Sequence, residues 1–233
     1  MQSDKSRLKV AIFDLDNTCV ETETPWFYAW REIYSTHGFE LGYDTWRHLM
    51  TNDRHPAQHL HDNHQVFLDR VLVERVRSEV MADIRERGLM PGVHDLLNEC
   101  KEEGLQLAIA TNGSRAWVSD VLMPHHRSMF DHVLTIDDVG SGNGKPKPDI
   151  HHLALQSVGV DPHEALGIED SRRGVQALKH ARIPAVLIPS QTDPGFVDNA
   201  VAMFSSMSEV TLDKLHQVSV RSTRQIAPVL SGL

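Results

Sequence analysis

Short apolar runs recur along the chain, and each gives way abruptly to polar, turn-forming residues. Residues 8–13 run into Asp14-Leu15-Asp16-Asn17-Thr18, 105–110 into Thr111-Asn112-Gly113, 132–136 into Asp137-Asp138, and 165–168 into Glu169-Asp170; 184–188 is a fifth run. Such short, nearly continuous runs predict strands covered on both faces. Helical spacing fills the intervals at 93–103, 115–122, 148–158 and 174–181, with Pro or Gly near several boundaries. Strand and helix in alternation predict an α/β fold, a Rossmann-like three-layer core around a parallel sheet. Ligands of such a sheet bind beyond the carboxyl ends of its strands, where the polar residues just named gather.

The alternation breaks once. From about residue 20 to 87 no strand pattern appears, and helical stretches take over, notably 26–36 and a long, charged, amphipathic 66–87. An all-helical insert after the first strand predicts a helical-bundle cap over 20–88, set into an α/β core of 1–19 and 89–216. The weakly patterned 217–233 reads as a loosely packed tail.

Composition narrows the setting. In 233 residues, 40% are hydrophobic and 24% charged, and no apolar run approaches the ~18 residues of a membrane span. The formal charge of −9 argues against a nucleic-acid partner, which clustered Lys and Arg would bind. The polar opening residues carry no secretory-signal pattern, so the expected location is the cytoplasm, as a monomer or homodimer. Cys19 and Cys100 are too few for a disulfide framework and read as free thiols. Asn112-Gly113-Ser114 matches a glycosylation sequon but reads as a polar turn.

Two carboxylates two residues apart on a strand point to opposite faces, but a turn at the strand end can bring both to one pocket. Asp14 and Asp16 are so placed, and Glu169 and Asp170 end another strand of the same predicted sheet. Four converging carboxylates need a hard cation, and all-oxygen ligation suits Mg²⁺. Thr111 supplies a hydroxyl, Asn112 and Gly113 a turn with backbone N–H groups, and Lys145 a positive charge. Carboxylates facing such an anion-binding set make a phosphoryl-transfer site. Val139 and Pro146 break a Walker-type pattern around 140–145, which excludes an ATP-binding loop there. The histidines His48, His55, His59, His61 and His64 lack zinc-site spacing.

Asp-x-Asp-x-Thr at 14–18, Thr111 after an apolar strand, Lys145 in Gly-Lys-Pro-x-Pro-Asp, and Glu169-Asp170-Ser171 together resemble, in order and spacing, the four motifs of the haloacid dehalogenase-like superfamily. The insert resembles that of its helical-cap branch, which holds phosphoglycolate and sugar-phosphate phosphatases and β-phosphoglucomutase. The resemblance implies that Asp14 is the nucleophile, forming an aspartyl-phosphate, and Asp16 the general acid and base. It implies that Thr111 and Lys145 clamp the phosphoryl group. It also implies that Asp170 ligates Mg²⁺ beside Asp14 and the Asp16 carbonyl, with Glu169 in support.

The expected activity is a Mg²⁺-dependent phosphomonoester hydrolase acting on a small phosphorylated metabolite. A mutase resembling β-phosphoglucomutase is one alternative, and a non-catalytic phosphometabolite-binding protein is another. The mutase carries a cap-side His twelve positions after its nucleophile, where this chain has Trp26. A dehalogenase lacks the second acid, which Asp16 supplies here, and a phosphonate hydrolase needs a cap Lys, absent from 20–87. Substrate choice is expected in the cap, with Arg47, His48, Asn52, Arg54, His55 and Trp26 as candidates; Arg54 is assigned a second charged or hydroxylated part of the substrate.

Overall fold

The computed structural model describes residues 8–52, 54–190 and 200–226. Among them six strands form one sheet: β1 (Val10–Phe13), β2 (Gln106–Ala110), β3 (His132–Leu134), β4 (Ala165–Glu169), β5 (Ala185–Leu187) and β6 (Ala202–Met203). Their order is β3-β2-β1-β4-β5-β6 and every pairing is parallel. The protein has the Rossmann-like α/β fold its sequence predicts.

Side chains alternate across the sheet, so each strand feeds two cores. Ala11, Phe13, Leu107, Ile109, Leu166 and Ile168 face one apolar cluster. Val10, Ile12, Ala108, Ala110, Ala165 and Leu187 face the other. The first is covered by α5 (Val93–Glu102), α6 (Arg115–Val121) and α11 (Leu212–Ile226); the second by α9 (Asp149–Val158) and α10 (Arg172–His180). Two short helices, α7 (Pro124–Arg127) and α8 (Ile136–Val139), lie in the connections.

Four helices form the insert between β1 and α5: α1 (Glu23–Thr36), α2 (Tyr43–Thr51), α3 (Pro56–His64) and α4 (Arg70–Arg87). Phe27, Trp30, Ile33, Tyr34, Trp46, Leu49 and Leu60 give this insert a core of its own. The chain enters and leaves it side by side, because Val20 and Leu89 form an antiparallel bridge and Met90 N–H donates to the Cys19 carbonyl at 2.8 Å. The insert is also tied to α6 through Asp120, which pairs with Arg77 at 2.7 Å and accepts at its carbonyl from Arg85.

Three boundaries differ from the pattern-based expectation. The predicted strand 132–136 stops at Leu134 because Thr135 caps α8 in a reciprocal capping box with Asp138. The expected helix 66–87 starts only at Arg70: α3 ends at Gln65, which takes a left-handed conformation, and Asp69 caps α4 by accepting from Val71 N–H. The loosely packed tail is corrected. Residues 217–226 continue α11, where Leu215, Val218 and Ser219 are buried; Leu212, Leu215 and Val218 recur every third residue and form the packing stripe. Residues 227–233 lie outside the described residues. No described helix is long and apolar enough to cross a membrane.

Candidate active site

β1 is central, flanked by β2 and β4 in matched register: Phe13 aligns with Ile109 and Ile168. Asp14, Thr111 and Glu169 therefore emerge at one edge. Asp14 N–H donates to the Ile168 carbonyl at 2.9 Å, extending the ladder by one residue before the chain turns. The turn is made at Asn17, which takes a left-handed conformation that Asn tolerates. Its side-chain oxygen accepts from the N–H groups of Thr22 and Glu23, supplying the cap that Thr22 does not give α1.

Lys145 reaches this edge from the loop after α8. Its ammonium sits 2.6 Å from Asp14 Oδ1 and 2.6 Å from Glu169 Oε1, with all three side chains buried. Burial opposes the Lys145 charge, but the two carboxylates outweigh it and hold the ammonium above its ordinary pKa. Burial raises Glu169 to about 8, with Asp14 adding to the shift and Lys145 opposing it. Burial, Asp14 and Glu169 together push Asp170 well above the carboxylate range. Oxygens of Asp14, Glu169 and Asp170 lie within 4.8 Å of one another. A buried, all-oxygen cluster with more negative charge than one ammonium neutralises fits a hard divalent cation such as Mg²⁺.

Asp16 stands apart from that cluster. Thr22 donates its hydroxyl to Asp16 Oδ1 at 2.8 Å, and the Trp117 indole N–H lies 3.0 Å from Oδ1 and 3.3 Å from Oδ2. Burial, reinforced by Asp14, raises the Asp16 carboxyl to about 6. It can hold a proton near neutral pH, as a general acid must.

Thr111 is buried, and its Oγ1 accepts from Gly113 N–H at 2.9 Å. Asn112, expected to touch substrate, uses its carboxamide otherwise: it donates to the Lys145 carbonyl at 3.2 Å and accepts from Lys145 N–H at 2.8 Å. Arg173 donates to the same carbonyl at 3.0 Å. Lys145 is thus aimed by its backbone as well as by its carboxylates.

The cap candidates are placed differently. Arg47, half-buried, pairs with the exposed Asp44 at 2.8 Å, and the exposed Arg54 with the exposed Asp62 at 3.4 Å, all in the insert. Neither guanidinium is brought to the carboxylates. Trp26 packs at the seam between the first sheet cluster and the insert core. Met50 and Thr51, at the end of α2, line a cavity of about 370 Å³ with Asp170, Ser171, Arg173 and Ser190. Pattern gave no sign of them, since a helix end one turn past Arg47 faces the core only in three dimensions.

Gly174 carries a requirement of its own. A Cβ there would lie 1.9 Å from Glu169 Oε2 and 2.0 Å from its Cδ. Gly to Ala in a helix ordinarily stabilises by about 1 kcal/mol. Here Gly174→Ala is expected to push the Glu169 carboxylate off Lys145, lowering kcat about a hundredfold and weakening the response to Mg²⁺. Steady-state kinetics across a Mg²⁺ titration check this.

Residues 8–182 match the family described as haloacid dehalogenase-like hydrolase. The chain belongs to that family. Among its relatives, hexitol phosphatase B of Escherichia coli (strain K12) is 28% identical over 234 residues, covering 90% of this chain and 97% of the relative. The phosphorylated carbohydrates phosphatase of Thermotoga maritima is 28% identical over 186 residues, 77% of this chain and 84% of the relative. The crystal structure of a CbbY mutant from Rhodobacter sphaeroides in complex with xylulose-(1,5)bisphosphate superposes with a TM-score of 0.69 at 25% identity, over 89% of this chain and 99% of that one. The protein is an enzyme, a phosphatase of the haloacid dehalogenase-like family.

Proposed function

We propose that the protein hydrolyses a small phosphorylated carbohydrate in the cytoplasm, through an aspartyl-phosphate on Asp14, with Mg²⁺ as cofactor. The observation that carries this reading is the meeting of Asp14, Lys145, Glu169 and Asp170 at the carboxyl ends of the central strands, where Thr111 is buried at the end of β2. The phosphatase relatives that act on hexitol phosphates or phosphorylated carbohydrates support the substrate class.

In this mechanism Lys145 and the Thr111 hydroxyl hold the phosphoryl oxygens while the Asp14 carboxylate attacks phosphorus. Lys145 also holds the Asp14 carboxylate in place, through the 2.6 Å contact. As the new O–P bond forms, the bond to the leaving oxygen breaks, and Asp16 passes its proton to that oxygen. Asp16, now a carboxylate, takes a proton from water, which attacks phosphorus, releases phosphate and restores Asp14. Asp14, Asp170 and Glu169 would hold Mg²⁺; when bound there, it neutralises charge on the transferring group. The insert acts as a cap that covers the leaving group and excludes water, with Met50 and Thr51 lining the cavity beside Asp170.

The test is a phosphate-release screen over hexose phosphates, hexitol phosphates, phosphoglycolate and nucleoside monophosphates, with and without Mg²⁺. Release confined to phosphorylated carbohydrates, and at least about a hundredfold faster with Mg²⁺, is expected. Release only from nucleotides would overturn the substrate class, and release independent of Mg²⁺ the cofactor. Glucose 1-phosphate converted to glucose 6-phosphate without net release would make the enzyme a mutase.

A further inference from the structure

The structure assigns Trp117 a role in the reaction: we propose that its indole N–H is the positioning group that orients the Asp16 carboxyl, so that the proton of Asp16 faces the leaving oxygen of the substrate. The proposal rests on the reading of Asp16 as general acid given above.

The geometry is specific. Trp117 lies on α6, 101 residues from Asp16, and its Nε1 reaches both carboxyl oxygens, at 3.0 and 3.3 Å. Gly113 makes the approach possible, because a Cβ at that position would lie 2.5 Å from Trp117 Cδ1. The ring is thus seated between the turn that carries Thr111 and the strand end that carries Asp16. Trp117 is half-buried and packs against the core cluster, so it does not wander.

The chemistry of the donor makes the inference sharper than a simple contact. An indole N–H donates and never accepts. A protonated carboxyl directed at it would set N–H against O–H, so the Asp16 proton is excluded from the indole side. Thr22 differs: its hydroxyl donates to Asp16 Oδ1 at 2.8 Å when Asp16 is ionised and can turn to accept when it is not. Trp117 therefore fixes the plane of the carboxyl and leaves its proton the direction away from α6. During phosphoryl transfer the proton moves from Asp16 to the leaving oxygen as the P–O bond breaks. The resulting carboxylate is met by the same N–H, which keeps its own proton throughout. A charge-assisted bond of this kind strengthens as the negative charge develops on Asp16.

A general acid matters only for a leaving group that needs a proton. The test measures kcat/KM, which reports the first phosphoryl transfer, for p-nitrophenyl, phenyl and benzyl phosphate in order of increasingly poor leaving groups. With Trp117→Phe, benzyl phosphate is expected to lose about tenfold while p-nitrophenyl phosphate loses less than about threefold. Trp117→Gln, which keeps an N–H donor, recovers part of the benzyl loss. Equal losses on all three esters would reduce Trp117 to a packing residue and overturn the proposal.

Asp16→Asn separates this from the underlying assignment. If it shows no leaving-group bias, Asp16 is not the acid and both readings fall. If it shows the bias and Trp117→Phe does not, only the role of Trp117 falls. Should Trp117→Phe not fold, the wild-type protein and Asp16→Ala decide by ¹H–¹⁵N spectra of the four tryptophan indoles. One downfield indole N–H moving upfield in Asp16→Ala supports the bond, and unchanged indole resonances overturn it.

Discussion

Asp14→Asn is expected to lower turnover of every phosphomonoester by about 10⁴-fold or more, with the fold intact. An amide oxygen is a poor nucleophile toward phosphorus, and removal of a covalent nucleophile eliminates the route rather than slowing it. The second half of the prediction concerns stability. Burial raises the pKa of Glu169, Asp170 and Asp16, and the Asp14 charge adds to each shift. Taking one charge from this cluster relieves repulsion, while Lys145 keeps Glu169 as its partner at 2.6 Å. In metal-free buffer the variant should therefore unfold at the same temperature as the parent or higher. Single-turnover phosphate release together with thermal unfolding in EDTA checks both halves. Residual turnover within tenfold of the parent would remove Asp14 from the nucleophile's place, and a lost fold would show that its role is structural.

The parts of this site legible in the sequence are those that lie at strand ends. An apolar run followed at once by an acid or hydroxyl marks a residue at a sheet edge, and a parallel sheet gathers such edges whatever the loop lengths between them. Asp14, Thr111, Glu169 and Asp170 are all of this kind. Lys145 is not at a strand end and was readable only through its Gly-Lys-Pro-x-Pro-Asp surroundings; the Asn112 clip that aims it spans 33 residues and left no local mark. Trp117 sits in helical spacing that reads equally as core packing, and its polar atom is what matters. The insert was legible as an all-helical interruption, but the pattern could not say which of its faces meets the core. Arg47 and Arg54 pair with Asp44 and Asp62 of the insert, whereas Met50 and Thr51 line a cavity with Asp170. The tail was misread because 217–226 are mostly polar, and the three-residue recurrence that buries Leu215 and Val218 begins before that segment.

Lys145→Met tests the electrostatic logic of the whole edge. Methionine nearly preserves the volume but leaves Asp14, Glu169 and Asp170 buried with no cation of the protein's own. Removing one partner of a buried charge network costs on the order of 3–5 kcal/mol, and turnover should fall about 10³-fold with the loss of the phosphate clamp. The destabilisation has a definite dependence on pH. Burial raises the Glu169 carboxyl from its ordinary 4.5 to about 8 in the fold, so between these limits the folded state binds more protons than the unfolded. Stability contributed by that protonated form is complete below about pH 4.5 and lost as pH rises through about 8. In EDTA the parent's unfolding temperature should accordingly fall across this window, and in Lys145→Met, where the ammonium no longer lowers Glu169, the fall should continue to higher pH. Mg²⁺ acts with the opposite sign, since binding displaces protons and grows stronger as the carboxylates ionise. Its stabilisation should be small at pH 5, large at pH 8, and larger in the variant than in the parent, because the cation then does alone what Lys145 shared. Unfolding temperatures over this pH range, with and without Mg²⁺, give the answer; a variant whose stability is independent of both would show that these carboxylates are neither crowded nor a cation site.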